Sequence, residues 1–257
     1  MTERPLILVT NDDGYDAPGI RTLIEIVKPL GRVVVIAPEK TQSGMGHAVT
    51  LTMPIRLRSI IETELYSEYV CTGTPVDCVK LAVNNLLERK PDLIVSGINH
   101  GANSSVNIIY SGTMAAAIEG ALAGITSVGF SLLDFSRNAD FIPSVSFIKP
   151  IVEQLLTEKY PKGCCLNVNI PAVPLADIKG VKVCRQAKGH WVEEFDERQD
   201  PHSHKYYWLT GDFHLQEDMP DTDMWALVNN YISVVPVSLD YTHHEQLQDF
   251  KTLETHA

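Results

Sequence analysis

Short β-branched runs alternate with segments of helical period along the first hundred residues. This alternation restricts the chain to one class of architecture, an α/β fold in which βαβ units build a mostly parallel sheet flanked by helices. Leu6-Ile-Leu-Val9 reads as a buried strand. Ile20, Leu23, Ile24, Val27 and Leu30 then recur at helical spacing until Gly31, and Val33-Val-Val-Ile-Ala37 is a second buried strand closed by Pro38. Alternation of Leu51, Met53, Ile55 and Leu57 predicts a half-exposed strand near an edge. A helix is expected from Pro75 through Leu87, a strand at Leu93-Ile-Val95, a long loop from Ser96 to Gly112 and a small-residue helix from about Thr113 to Gly124. Further on, Ser127 to Leu132 predicts a strand, Phe141 to Tyr160 a helix, Leu166 to Ile170 a strand and Tyr231 to Val237 a late strand, with a polar terminus from Thr242.

The length, 257 residues, is within what one core can organise, so a single domain over 1–257 is expected. Its core and site occupy about 1–185; about 186–257 hold a hairpin arm, the late strand and an oligomerisation segment. Size scaling gives about 11,000 Å² exposed when folded. The stretch from Arg185 to Asp223 is rich in charge, histidine and aromatics, which suits an extended arm or oligomer contact better than a second core. With 44% hydrophobic and 21% charged residues the composition is globular, and disorder is excluded as a general reading. The net charge of −11 argues against duplex binding through bulk electrostatics. No apolar run approaches the roughly 20 residues of a membrane helix, and the N-terminus has no signal pattern, so a cytoplasmic protein is expected. Five cysteines without a CxxC pair read as reduced, buried thiols.

Chemistry concentrates in loops that leave strand ends, where open parallel sheets bind ligands. Asn11-Asp12-Asp13-Gly14 follows the first strand directly. Adjacent carboxylates there are stable if a cation or donors compensate them, and the two readings are a metal site and a capped turn. The second strand is followed by Glu39 to His47 and the third buried strand by Ser96 to Asn103, and all three loops are expected at one edge. Asp12, Asp13, the Ser43 hydroxyl and the Asn99 amide oxygen form an all-oxygen set suited to Mg²⁺ or Mn²⁺. Tyr110-Ser111-Gly112-Thr113 opens the small-residue helix and offers either an anion cradle or an ordinary N-cap. Cation site and cradle together fit metal-assisted phosphoryl transfer to water.

Other signals are weaker. Gly44-Met-Gly46 lacks a third glycine and a following helix. There is no P-loop and no GxSxG elbow, and Asp12 lacks the second acid of a DxD phosphatase. His202, His204 and His214 belong to the arm, where surface or interface roles are expected. His47 and His100 suit either the site or loop packing.

The chain resembles the survival protein E (SurE) family of 5′/3′-nucleotidases. The resemblance rests on Ile7-Leu-Val-Thr-Asn-Asp-Asp-Gly14 continuing to Ile20, Ala37 to Gly44, Gly73-Thr-Pro-Val-Asp-Cys78, Pro91 to Asn103 and Tyr110-Ser-Gly-Thr113, in family order. It implies a Rossmann-like fold and one divalent ion per subunit on Asp12, Asp13, Ser43 and Asn99. It further implies a phosphate site using Asn103, Ser111, Gly112 and Thr113, and a homodimer or homotetramer with a protruding hairpin. The expected activity is hydrolysis of nucleoside 5′- and 3′-monophosphates by metal-activated water, with Asp12 or Asp13 accepting its proton and short polyphosphate as a further substrate. The alternative is a nucleotide-sensing protein that uses the same pocket without turnover.

Overall fold

The structure, a computed structural model, describes residues 4–136 and 138–254. The first three residues, part of the N-terminus read for a targeting signal, and the last three of the polar terminus lie outside the described residues. Strand β1 (Leu6–Thr10) and strand β2 (Arg32–Pro38) pair in parallel, with Ile7 opposite Val33 and Val9 opposite Val35. Helix α1 (Pro18–Val27) joins them, started by a proline in its first turn, where the missing N–H has no partner to lose. β3 (Leu57–Glu62) and β4 (Tyr66–Cys71) are antiparallel neighbours. α2 (Pro75–Leu81) begins with a capping box between Thr74 and Asp77 and runs on as a π-helical stretch, Ala82–Leu86. Then come β5 (Leu93–His100), α3 (Gly112–Leu122), β6 (Ser127–Leu132), α4 (Val145–Thr157), β7 (Cys165–Ile170) and β8 (Val181–Val183). A hairpin of β9 (Gly189–Gln199) and β10 (Lys205–Leu215) precedes α5 (Asp223–Val228) and β11 (Ile232–Pro236).

Nine strands form one sheet in the order β3-β4-β2-β1-β5-β6-β7-β11-β8, and the hairpin stands apart as a two-stranded ribbon. From β4 to β7 all neighbours are parallel. Successive side chains of a strand point to opposite faces, so Ile7, Val9, Val33 and Val35 join α1 and α4 in one core. Leu6, Leu8, Val34 and Ile36 meet Cys78, Val79 and Ala116 of α2 and α3 in the other. The result is the expected helix–sheet–helix sandwich. The chain leaves β1 towards β2 on one side and returns to β5 on the other, so the carboxyl ends of β1 and β5 flank a topological switch point.

Three boundaries differ from the sequence reading. The edge strand starts at Leu57, and Leu51 and Met53 are exposed outside it, because Pro54 offers no ladder N–H and pairing with β4 begins only beyond it. The loop from Ser96 is shorter than expected, since β5 runs through His100 and a 3₁₀ turn covers Ser105–Ile109. α4 begins at Val145 after a 3₁₀ turn, Ile142–Ser144. The late strand lies inside the main sheet, antiparallel to β7 and parallel to β8. Exposed surface is 14,629 Å², well above the roughly 11,000 Å² expected of a compact monomer of this mass. The ribbon contributes to the excess, with Phe195, Trp208 and Leu209 each more than half exposed.

Helix α1 lies so close to β5 that a Cβ on Gly19 would stand 1.9 Å from the Ile98 carbonyl oxygen, next to Asn99. Gly19→Ala is expected to destabilise the protein by roughly 1–3 kcal/mol, the range for overpacking. A urea midpoint equal to that of the wild type would show that the helix can move aside.

Candidate active site

β1 is buried along its length, and the chain turns out of the sheet at Asn11. The Asn11 amide donates to the Gly14 carbonyl (2.8 Å), which tightens the turn and presents Asp12 and Asp13 in succession. The loop after β2 is tied to this turn: the Gln42 N–H donates to the Asp12 carbonyl (2.7 Å) and the Tyr15 N–H to the Pro38 carbonyl (3.0 Å). Further along, the Gly46 N–H donates to the Tyr110 carbonyl (3.1 Å), drawing the Ser43 loop towards the start of α3.

An open cavity of about 180 Å³ lies where these segments meet, and Asp12, Ser43, Asn99, Asn103 and Ser111 line it. Asp13 stands beside it and accepts from the His100 N–H (3.3 Å). Both Asn99 amide hydrogens reach carbonyls, of His100 (3.0 Å) and Gly101 (2.7 Å), which leaves its Oδ1 as an acceptor. Gly112 and Thr113 serve Asp12 directly. The Thr113 hydroxyl, fully buried, donates to Asp12 Oδ1 (2.5 Å). A Cβ on Gly112 would lie 2.7 Å from the Asp12 Cβ and 2.9 Å from its Oδ2, so only glycine lets the helix approach this carboxylate. Ser111 caps α3 by accepting from the Met114 N–H (3.0 Å), and its own hydroxyl proton stays free for the cavity. The cap and the cavity-lining position therefore coexist at one residue.

Asp12 is only 3% exposed. Burial, reinforced by the charge of Asp13, pushes its carboxyl up to about 6 in spite of the Thr113 hydrogen bond. Burial also raises Asp13, partly offset by the His100 N–H. Two neighbouring acids disfavoured as anions are what a cation would relieve. Around them stand a hydroxyl and an amide oxygen, a hard donor set that fits a divalent ion of the Mg²⁺ or Mn²⁺ type. Among the described residues no group of three or more His, Cys, Asp or Glu could hold a metal, so such an ion would rest on two carboxylates and neutral oxygens.

Several residues that support the site were not singled out from the sequence. Asn103 is held by an amide ladder: its N–H donates to Asn169 Oδ1 (2.7 Å), its amide to the Ser131 hydroxyl (2.8 Å), and Asn167 donates to its carbonyl (2.8 Å). Two asparagines at alternate positions of an otherwise apolar strand were the available signal. Asp223 is buried and accepts from the N–H groups of Ser105 (2.8 Å), Ala187 (2.9 Å) and Met224 (2.8 Å). It clamps the loop after β5 to the base of the hairpin, and burial keeps its carboxyl raised despite three donors. Of the two histidines left open, His47 turns away to Glu119 (2.9 Å), whereas His100 lines the cavity with its ring edge-on to Phe141.

A Rossmann-like α/β sandwich with paired acids and a capped helix N-terminus at its switch point has the layout of the α/β class that handles phosphates or nucleotides. The family described as survival protein SurE matches residues 7–193, and the chain belongs to it. Its relatives include proteins named 5′-nucleotidase SurE from Flavobacterium johnsoniae, 57% identical with 97% of each chain covered, and from Christiangramia forsetii, 55% identical at the same coverage. The crystal structure of SurE protein from Aquifex aeolicus superposes with a TM-score of 0.84 at 41% identity, covering 98% of this chain and all of that one.

The raised Asp12 carboxyl makes stability depend on pH in the absence of added metal. Its folded pKa lies above the unfolded value, so its stabilising contribution is complete below about 4 and is lost as pH rises through about 6. Chelated protein should gain roughly 1–3 kcal/mol from this group on acidification across that window. Asp12→Asn should flatten this dependence and be the more stable variant at pH 7; an unchanged slope in urea titrations would remove Asp12 as its source.

Proposed function

We propose that this chain hydrolyses nucleoside 5′- and 3′-monophosphates to nucleoside and inorganic phosphate, as a divalent-metal-dependent nucleotidase. The observation that carries the reading is the buried Asp12 next to the half-buried Asp13, facing the open start of α3. The relatives' printed name, 5′-nucleotidase, supports the substrate class. Asp12, Asp13, Ser43 and Asn99 would hold one Mg²⁺ or Mn²⁺ ion per subunit. Bound there, such an ion supplies charge neutralisation at a phosphoryl oxygen and makes a water acidic enough to act as nucleophile.

The chain's own residues perform the remaining work. Asn99, with its amide hydrogens fixed on the backbone, has an oxygen left that would serve a cation. Thr113 and Gly112 hold Asp12 against the helix start, so the carboxylate is fixed before substrate arrives. Ser111 and Asn103 offer polar groups to the equatorial phosphoryl oxygens, where charge grows during transfer. Asp13, the less buried acid, would take the proton of the attacking water.

We extend the reading to a single unit over 1–257 acting as a homodimer or homotetramer in the cytoplasm. The excess surface and the apolar faces of the hairpin support the assembly. The family resemblance adds short polyphosphate to this proposal as a second substrate class. No helix among the described residues is long and apolar enough to cross a membrane.

Phosphate release from 5′- and 3′-nucleoside monophosphates should vanish on chelation and return with Mg²⁺ or Mn²⁺. Asp13→Asn should keep the fold by circular dichroism and lose at least about 100-fold in kcat, the range for a missing acid–base group. Wild-type turnover in that variant would sink the assignment of Asp13, and no release from any nucleotide with either metal would turn the site into a binding pocket.

A further inference from the structure

A second cavity, of about 530 Å³, adjoins the first and shares Gly44, Asn107 and Tyr110 with it. Its other wall is one face of the β9–β10 ribbon, where Trp191 and Glu193 alternate along β9 and Gly211 lies directly opposite Glu193. Gly211 is pressed against the facing strand, where a Cβ would stand 2.4 Å from the Val192 carbonyl oxygen, and it lines the cavity together with Glu193. Trp191 is fixed: its indole N–H donates to Asn107 Oδ1 (2.8 Å) and its ring packs edge-on against Phe213, with centroids 5.7 Å apart. Even so it remains 40% exposed, and Tyr110 is 49% exposed. Two aromatic rings thus border one cavity without being buried by the protein, and one of them is held in orientation by a hydrogen bond at its edge. This is an arrangement for a flat apolar ligand bearing polar edges.

We infer that this cavity is a nucleobase subsite, in which Trp191 and Tyr110 stack the base and Glu193 selects bases that carry an amino donor. The inference rests on the nucleotidase reading above, because the phosphate end of the same ligand would occupy the adjoining cavity. Volume agrees, since small-molecule pockets fall in the range of about 300–1,000 Å³. Charge agrees as well on that reading: a cation held by Asp12 and Asp13 would draw the phosphoryl end beside Ser111, whereas Glu193 has no such partner among the described residues and leaves the ribbon side to the base. A carboxylate accepts from the exocyclic amino group of adenine or cytosine, whereas uracil presents carbonyl oxygens at its corresponding positions. Trp191 and Glu193 are therefore specificity-determining residues for the proposed reaction.

The test pairs binding with turnover. Isothermal titration of the wild-type protein with adenosine, cytidine and uridine needs neither metal nor hydrolysis, and should give tighter binding of the two amino-bearing nucleosides. Trp191→Ala should weaken adenosine by roughly 5- to 100-fold, the range for loss of one base stack. Trp191→Phe should restore most of that affinity, which separates stacking from damage to the fold. Glu193→Gln should reduce the preference for adenosine over uridine by roughly tenfold, the range for a hydrogen bond to a charged group. In steady-state assays, the kcat/KM advantage of AMP over ribose 5-phosphate should shrink in Trp191→Ala. Adenosine affinity unmoved by Trp191→Ala, or an AMP advantage that survives it, would overturn the subsite even if phosphate release is robust. Adenosine binding that depends on Trp191 in a protein that releases no phosphate would uphold the subsite and overturn the nucleotidase reading.

Discussion

Two carboxylates in succession at the end of a fully buried central strand create a desolvation problem, and much of the surrounding structure answers it. Asp12 can be where it is because Gly112 lets a helix start approach it and Thr113 supplies a hydroxyl from the same turn. Those contacts do not neutralise the site, since burial and Asp13 still hold the Asp12 carboxyl near 6. An uncompensated pair of this kind costs stability, and a fold keeps such a cost where ligand binding can offset it. The switch point between β1 and β5 makes the arrangement feasible, because two loops diverge there and leave the acids reachable.

Fixing the loops requires a second layer of polar contacts further from the chemistry. Asn167 and Asn169 hold the main chain of Asn103, the Ser131 hydroxyl holds its side-chain amide, and Asp223 gathers the N–H groups of Ser105, Ala187 and Met224. Ser105, whose φ of 53° is unusual for a residue with a side chain, is held from both ends, by Asp223 at its N–H and by the Ala187 carbonyl at its hydroxyl (2.9 Å). The consequence is geometric. The base of the ribbon and the loop that leads to Tyr110 are bonded to one carboxylate, which ties the position of β9 to that of Ser105.

The sheet core was legible in the sequence because its strands are buried on both faces and read as unbroken β-branched runs, as in Leu6 to Val9 and Val33 to Ala37. The site loops were legible for a related reason: glycine, asparagine and aspartate clusters at strand ends have few structural uses in combination. What stayed hidden depends on contacts far apart in the chain. The start of the edge strand was misplaced because alternation continues through Leu51 and Met53, although Pro54 interrupts any ladder there. The hydrogen bond from the Thr113 hydroxyl to Asp12 was likewise hidden, because no spacing rule gives the direction of that hydroxyl. Asp223 lies more than a hundred residues from Ser105, and only tertiary structure gives its carboxyl a purpose.

The position of β11 in the sheet bears on how the molecule comes into being on the ribosome. β11 enters between β7 and β8 after the whole ribbon has been made. Translation at about 5–20 residues per second leaves β7 waiting roughly 3–12 seconds for this last piece. During that interval one side of β7 is an unpaired edge, open to strands of neighbouring nascent chains. Asp223, eight to nine residues ahead of β11, arrives in the same late stretch of chain, so closure of the sheet and locking of the active-site loops belong to one final event.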